Sequence, residues 1–213
     1  MAFNHNHRYH PRLLGLVPPE AVRALDVGCG QGRFARRLAA RGLDVDAVDV
    51  DGDMVRVTEA LGSPGPGKVT ARHQDIVAAE LEANAYGFIS CLASLHHVPF
   101  ETVGKLRAAL APGGVLAVLG LARPSTPADW AVEVVSIPLN LVARGVVAAG
   151  EWLNGGTDPL PAAPVNMEFP RMGELRRRAA ELLPGSTIRA LPFWRYLLTY
   201  RKPLPRPDHT TGG

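Results

Sequence analysis

The sequence predicts an α/β protein built on a doubly wound, parallel sheet, and three observations predict it. Short apolar runs alternate with segments of helical periodicity from about residue 21 to residue 121. A glycine-rich stretch, Asp26-Val27-Gly28-Cys29-Gly30-Gln31-Gly32, lies between the first apolar run and the first helical segment. Asp49 closes the second apolar run, at the separation a βαβ unit needs to bring a carboxylate to the mouth of a strand-to-helix turn.

The elements follow in order. Residues 1–20 form a proline-containing leader with a short helix over His10–Leu16. Ala21–Val27 reads as a buried strand. Phe34, Leu38 and the alanines after the glycines recur at helical spacing to about Arg41, where Gly42 supplies a C-cap. Val45–Val50 is the second strand and Asp53–Leu61 the second sheet-flanking helix, halted by the glycine and proline of residues 62–67. Val69–His73 and Tyr86–Leu92 are strands three and four. A helix over Glu101–Leu110 leads through Ala111-Pro112-Gly113-Gly114 into a fifth strand, Val115–Leu121.

The alternation then breaks. Residues 124–165 read as a helical cap insertion whose apolar core, Trp130–Trp152, carries a kinking Pro138. Glu133 and Arg144 make that stretch poor membrane material, so a lid or a homodimer contact through 130–152 is expected. Glu168–Leu183 is an amphipathic helix stopped by Pro184-Gly185. Thr187–Leu191 and Arg195–Tyr200 are strands joined tightly through Pro192–Trp194.

Composition bounds the function. A chain of 213 residues suits one domain with a sizeable core, here residues 21–213 behind the leader. Two cysteines, Cys29 and Cys91, imply no disulfide framework and fit a reducing cytoplasm. Met1–His10 is polar without an apolar core, unlike a secretory signal, and no apolar run is long enough to span a membrane. The net charge is +3, with nine Arg or Lys between Asn166 and Pro207 against three Glu. Arginine outnumbers lysine twenty to three, beside abundant Ala, Gly and Pro; this resembles the drift of a GC-rich genome more than a phosphate-binding face. No nucleic-acid partner is expected on that basis.

The glycine spacing narrows the ligand. A dinucleotide fingerprint, G-x-G-x-x-G, lets pyrophosphate rest on a helix N-terminus. Here the spacing is G-x-G-x-G, and Asp26 places an acid just before it, which opposes a pyrophosphate and suits a cation. An adenosine-containing, cationic ligand satisfies both constraints. The stretch Asp26–Gly32 resembles the nucleotide-binding motif of class I S-adenosylmethionine-dependent methyltransferases. Pro112-Gly113-Gly114 also resembles this family, and the Leu95-His96-His97 stretch after strand four is similar to its small-molecule branch, which includes quinone C-methyltransferases and arsenite methyltransferases. The resemblance covers about 21–123 with specific motifs. It implies a Rossmann-like sheet of seven strands, mostly parallel with the last strand antiparallel, plus the helical cap.

It also implies a site. Gly28, Cys29, Gly30 and Gly32 would approach the methionine and ribose of S-adenosylmethionine, and Asp26 would orient its ammonium. Asp49 would accept from both ribose hydroxyls. Asp75 and the Ile76 amide would meet the adenine, Val50 and Met54 would pack on its ring, and the Leu92 backbone would meet the amino-acid end. The product would be S-adenosylhomocysteine.

Methyl transfer is an in-line displacement whose rate comes largely from alignment. His96 or His97 would act as base or substrate donor; alternatively the pair caps or packs against the following helix. In relatives the leader folds over the cofactor, which would bring Tyr9 and His10 to the active site; a disordered, tag-like terminus is the other reading. The leader histidines lack a carboxylate or thiolate partner, so no metal is expected. No Asn/Asp-Pro-Pro-Tyr follows strand four, which sets the chain apart from amino-methyltransferases of adenine, cytosine or glutamine. Two core cysteines cannot supply the thiolates of an arsenite enzyme. The expectation is a small, apolar or aromatic acceptor. Its rivals are an RNA or DNA methyltransferase using the C-terminal arginines, and a non-catalytic S-adenosylmethionine-binding protein.

Overall fold

A computed structural model describes residues 8–132, 134 and 169–205. Its elements are α1 (His10–Leu14), β1 (Arg23–Val27), α2 (Arg33–Ala39), β2 (Asp44–Asp49), α3 (Gly52–Leu61), β3 (Val69–His73), β4 (Tyr86–Leu92), α4 (Thr102–Ala109) and β5 (Leu110–Leu121). A helix, α5, opens at 127 and is described to 132. It is followed by α6 (Met172–Leu182), β6 (Thr187–Leu191) and β7 (Arg195–Arg201). The strands form one sheet in the order β3-β2-β1-β4-β5-β7-β6. β1 to β5 are parallel, and β7 lies antiparallel between β5 and β6.

Alternation along the central strands sorts side chains onto two helical layers. Leu25, Ile89, Leu116 and Val118 pack with Val103 and Leu106 of α4 and Leu175 and Ala179 of α6. Ala24, Phe88, Ala117 and Leu119 pack with Leu13 and Leu14 of α1 and Phe34 and Leu38 of α2. Strand order reverses direction at the β1–β4 pair, and the carboxyl ends of strands at such a reversal are where ligands bind in doubly wound sheets.

Several boundaries shift by a few residues, among them α6, which begins at Met172 and not Glu168, and the start of β5 differs in kind. β5 begins at Leu110, which already pairs with Tyr86, and Pro112-Gly113-Gly114 forms an irregularity inside the strand rather than a turn before it. Gly113 has φ +78°, and a Cβ on Gly114 would come within 3.0 Å of the Tyr86 carbonyl. Glycines therefore let the strand bulge and stay paired. The leader before Arg8, most of the 124–165 cap and most of the Trp130–Trp152 stretch lie outside the described residues. Among the described residues no helix is long and apolar enough to cross a membrane, and no cluster of potential metal ligands occurs.

Candidate active site

Val27 ends β1, and the chain turns at once into α2. Gly28, Gly30 and Gly32 all take positive φ, +67°, +51° and +66°. The three glycines differ in what surrounds them. A Cβ on Gly28 would sit 2.3 Å from the Ser94 Cβ, and one on Gly32 would sit 2.4 Å from Thr58 Cγ2. A Cβ on Gly30 would meet nothing within 4 Å. Gly28 and Gly32 are thus required by the protein's own packing, whereas Gly30 holds its backbone against open space, ready for close approach by a ligand.

The turn is tied on three sides. Amides of Gly28 and Cys29 donate to the Val48 carbonyl at 2.8 and 3.1 Å. Thr58 Oγ1 donates to the Gly30 carbonyl at 2.9 Å, and Ser94 Oγ donates to the Val27 carbonyl at 2.6 Å. Asp49, half-buried at the end of β2, accepts from the Gly30 amide through Oδ2 at 2.7 Å and from the Asp51 amide through Oδ1 at 2.9 Å. Each carboxylate oxygen keeps a further lone pair for a ligand hydroxyl.

Asp26 faces α2 and is 2 % exposed. It accepts from Ser90 Oγ at 2.7 Å and from the amide of Ala35 in the first turn of α2. Burial raises its carboxyl to about 6, although both hydrogen bonds oppose the rise; Asp49 adds to it. Cys29 is different: burial pushes its thiol up to about 12, with the two nearby carboxylates adding to the effect, so it serves as wall and not as nucleophile.

Beside Asp49, Val50 is 64 % exposed and Met54 is half-buried, an apolar shelf next to the carboxylate. Asp75 is exposed and accepts from the Val77 amide at 2.8 Å, closing a tight turn that leaves Ile76 buried in the core. The Gln74 amide donates to the Asp49 carbonyl at 2.9 Å, joining the loops after β2 and β3. Lys105 of α4 holds this same loop by donating to the carbonyls of Ile76, Val77 and Ala79. No sequence pattern pointed to Lys105; a lone lysine on a helix carries no such signal.

Past Leu92, Ala93 adopts φ +57°, and Leu95–His97 form a 3₁₀ turn. His96 lines a cleft of about 300 Å³ with Phe100, Arg178 and Tyr196, and its ring centroid lies 6.1 Å from that of Phe169. Burial, with a smaller contribution from His97, lowers its pKa, so the imidazole is neutral at pH 7. Among the described residues its buried Nδ1 has no hydrogen-bond partner. His97 is exposed, with its ring 3.9 Å from that of His96.

Tyr9 and His10 lie elsewhere. The Tyr9 hydroxyl donates to the Pro192 carbonyl at 3.3 Å, and His10 is buried with its ring 5.0 Å from that of Phe34. They belong to the layer of α1 and α2, while the cleft beside His96 opens among residues of the α4 and α6 layer.

The C-terminal arginines are partly engaged within the fold. Arg176 pairs with Asp129 at 2.5 Å, and Arg178 pairs with Glu101 while its guanidinium lies 5.0 Å from the Phe100 ring centroid. Two of the three consecutive arginines that would serve a phosphate backbone are thus committed to internal contacts.

Comparison with known proteins accords with this geometry. A family described as a methyltransferase domain matches residues 24–114. An uncharacterised methyltransferase of Mycobacterium bovis is 33 % identical over 208 residues, covering 95 % of this chain and 98 % of that protein. A ubiquinone biosynthesis O-methyltransferase of Xanthomonas axonopodis is 35 % identical over 123 residues, or 56 % of this chain and 50 % of that enzyme. Among solved structures, an S-adenosylmethionine-dependent methyltransferase from Methanosarcina mazei aligns with a TM-score of 0.59 at 15 % identity, over 92 % of this chain and 98 % of that one.

Proposed function

Because the chain belongs to the S-adenosylmethionine-dependent methyltransferase family, we propose that it transfers the methyl group to a small, apolar or aromatic acceptor by in-line displacement. The observation that carries this reading is the pairing of Gly30 with Asp49: a positive-φ glycine facing open space, hydrogen-bonded to a carboxylate with acceptor capacity to spare. The neighbouring residues fit the cofactor chemically. Asp49 would hold the ribose hydroxyls, and the backbone from Gly28 to Gly32 the region between ribose and methionine. Asp26 would balance the ammonium. Val50, Met54, Asp75 and the Ile76 amide would frame the adenine, and the Leu92 backbone would meet the amino-acid end. Bound there, S-adenosylmethionine supplies an electrophilic methyl group whose leaving group is a neutral thioether.

The chain's own contribution is alignment and proton management. The walls of the crevice hold donor and acceptor in attack geometry, which removes much of the entropic barrier. Where the acceptor arrives protonated, the neutral imidazole of His96 takes the proton as the new bond to carbon forms. His96 suits that role better than Tyr9 or His10 because it stands directly past the end of β4 and lines the cleft there, whereas the cleft that His10 lines lies along α2 with Arg33, Arg36 and Arg37.

A radiolabelled-methyl screen over phenols, amines and quinols tests the proposal. Label transferred to one of these classes, and lost in the Asp49→Ala variant, is expected. Tight S-adenosylmethionine binding with no transfer to any class would overturn the catalytic reading in favour of a binding protein. Transfer to RNA or DNA alone would overturn the acceptor class.

A further inference from the structure

A second cavity, of about 430 Å³, opens at the carboxyl end of β5. Among the described residues three segments line it: Arg123–Ser125 with Trp130, residues 171–174 at the start of α6, and Trp194 in the turn between β6 and β7. They are joined by an Arg123–Arg171 backbone bridge, by the Gly173 amide donating to Ser125 Oγ at 3.0 Å, and by the Asp129–Arg176 ion pair. The cavity shares Glu174 with the cleft beside His96, so the two spaces are neighbours.

Its walls combine flat aromatic faces with positive charge. Trp130 and Trp194 are 54 % and 44 % exposed among the described residues. Arg123 and Arg171 both line the space, and Arg171 makes no ion pair among the described residues. The N-terminal end of α6, eleven residues long, adds the positive end of its dipole. Glu174 supplies the one carboxylate among the described lining residues, available to a hydroxyl or amine proton of a ligand. The aromatic wall is held at a cost. Phe193 and Trp194 stand at φ +67° and +57°, a region side chains other than glycine, asparagine and aspartate rarely enter. A three-residue turn between strands would relax with glycine there; two large aromatics held in that conformation mark a surface built to be used.

We propose that this cavity is the anchoring subsite for the acceptor, and that the acceptor carries a planar apolar group together with an oxyanion such as a carboxylate. The indole faces stack the plane, and the Arg171 guanidinium takes the oxyanion in a charge-assisted, bidentate contact. The inference rests on the methyltransferase reading and sharpens its substrate class.

Calorimetric titration of the full chain with 2-naphthoate and with its neutral twin 2-naphthamide tests this. Naphthoate is expected to bind about tenfold or more tightly than the amide, the worth of one charge-assisted contact. Arg171→Gln should abolish that preference while leaving the amide's affinity unchanged, and Arg171→Lys should restore part of it. Trp194→Leu should weaken both probes. Equal affinity for the two probes, no binding of either, or a preference that survives Arg171→Gln would overturn the inference. S-adenosylmethionine affinity, measured on the same variants, should stay at the wild-type value. Its absence from the wild-type protein would strike the donor assignment instead, which the naphthoate comparison does not read.

Discussion

The Gly30 amide donates to the Asp49 carboxylate at 2.7 Å, across the gap between the end of β1 and the end of β2. This bond makes the glycine turn and the acid one unit. The turn takes its shape from the carboxylate, and the carboxylate is aimed by the turn.

The three glycines should fail differently. Gly30→Ala places its methyl group in open space, so only the backbone conformation opposes it, at about 1–2 kcal/mol. Gly28→Ala and Gly32→Ala collide with Ser94 and Thr58 and should each cost about 2–5 kcal/mol. Thermal denaturation paired with S-adenosylmethionine titration separates the two kinds of loss. Gly30→Ala should retain the fold and lose affinity; equal destabilisation by all three would contradict the distinction.

Asp26 sets stability against binding. Its carboxyl is raised to about 6 from the 3.8 of an unfolded chain, chiefly by burial. The folded state therefore favours the protonated form, and the group weakens the apo fold as pH rises from about 4 through about 6. Asp26→Asn should stabilise the apo protein at pH 7 by up to about 3 kcal/mol. A cation bound beside the carboxylate reverses the preference. Wild-type affinity for S-adenosylmethionine should fall as pH drops below about 6, and Asp26→Asn should bind weakly at every pH. Denaturation and calorimetry across pH 5–8 check both halves.

The ion pair between Asp129 and Arg176 ties the segment after β5 to α6. Asp129 is 3 % exposed, accepts from the amides of Ser125 and Thr126, and is held down at about 2 chiefly by Arg176. Its folded value lies below its unfolded one, so its contribution is present above about pH 4 and is lost as pH falls toward 2. Because Arg176 is partly exposed, Arg176→Ala should cost about 1–2 kcal/mol, less than a fully buried pair would. Hydrogen exchange should rise at residues 125–132 first; unchanged protection there would contradict the role.

His96 should govern turnover and not donor binding. His96→Gln should lower kcat by about 10²- to 10³-fold on acceptors that must lose a proton, with S-adenosylmethionine affinity unchanged. Since burial depresses its pKa, the wild-type rate should rise with pH through a midpoint below the ordinary histidine range and be level at neutrality. A profile unaltered by the substitution would move the base elsewhere.

Much of this was legible in the chain because it depends on local chemistry. Strands over Val69–His73 and Tyr86–Leu92 coincide with their apolar patterns, and Gly28, Gly30 and Gly32 read as a strand-to-helix turn from the sequence alone. A sheet of seven strands with an antiparallel last strand follows from the family resemblance. What escaped depends on contacts between distant residues. Pro112-Gly113-Gly114 looked like a turn because Pro and Gly punctuate loops; only the Tyr86–Leu110 pairing shows the strand already running. Asp46 looked like any polar residue in a strand, yet it is 7 % exposed and satisfied by Arg23, Arg72 and the Tyr86 hydroxyl. Lys105 and the Asp129–Arg176 pair were invisible for the same reason: nothing local distinguishes a lysine, aspartate or arginine that will find its partner across the fold.

Titration of S-adenosylmethionine into the wild-type protein and its Asp49→Ala variant tests the central claim most directly. The two proposed ribose contacts and the Gly30 tie depend on that carboxylate, so affinity should fall by about 10²-fold or more while the variant stays folded. Wild-type affinity in the folded variant would contradict the site.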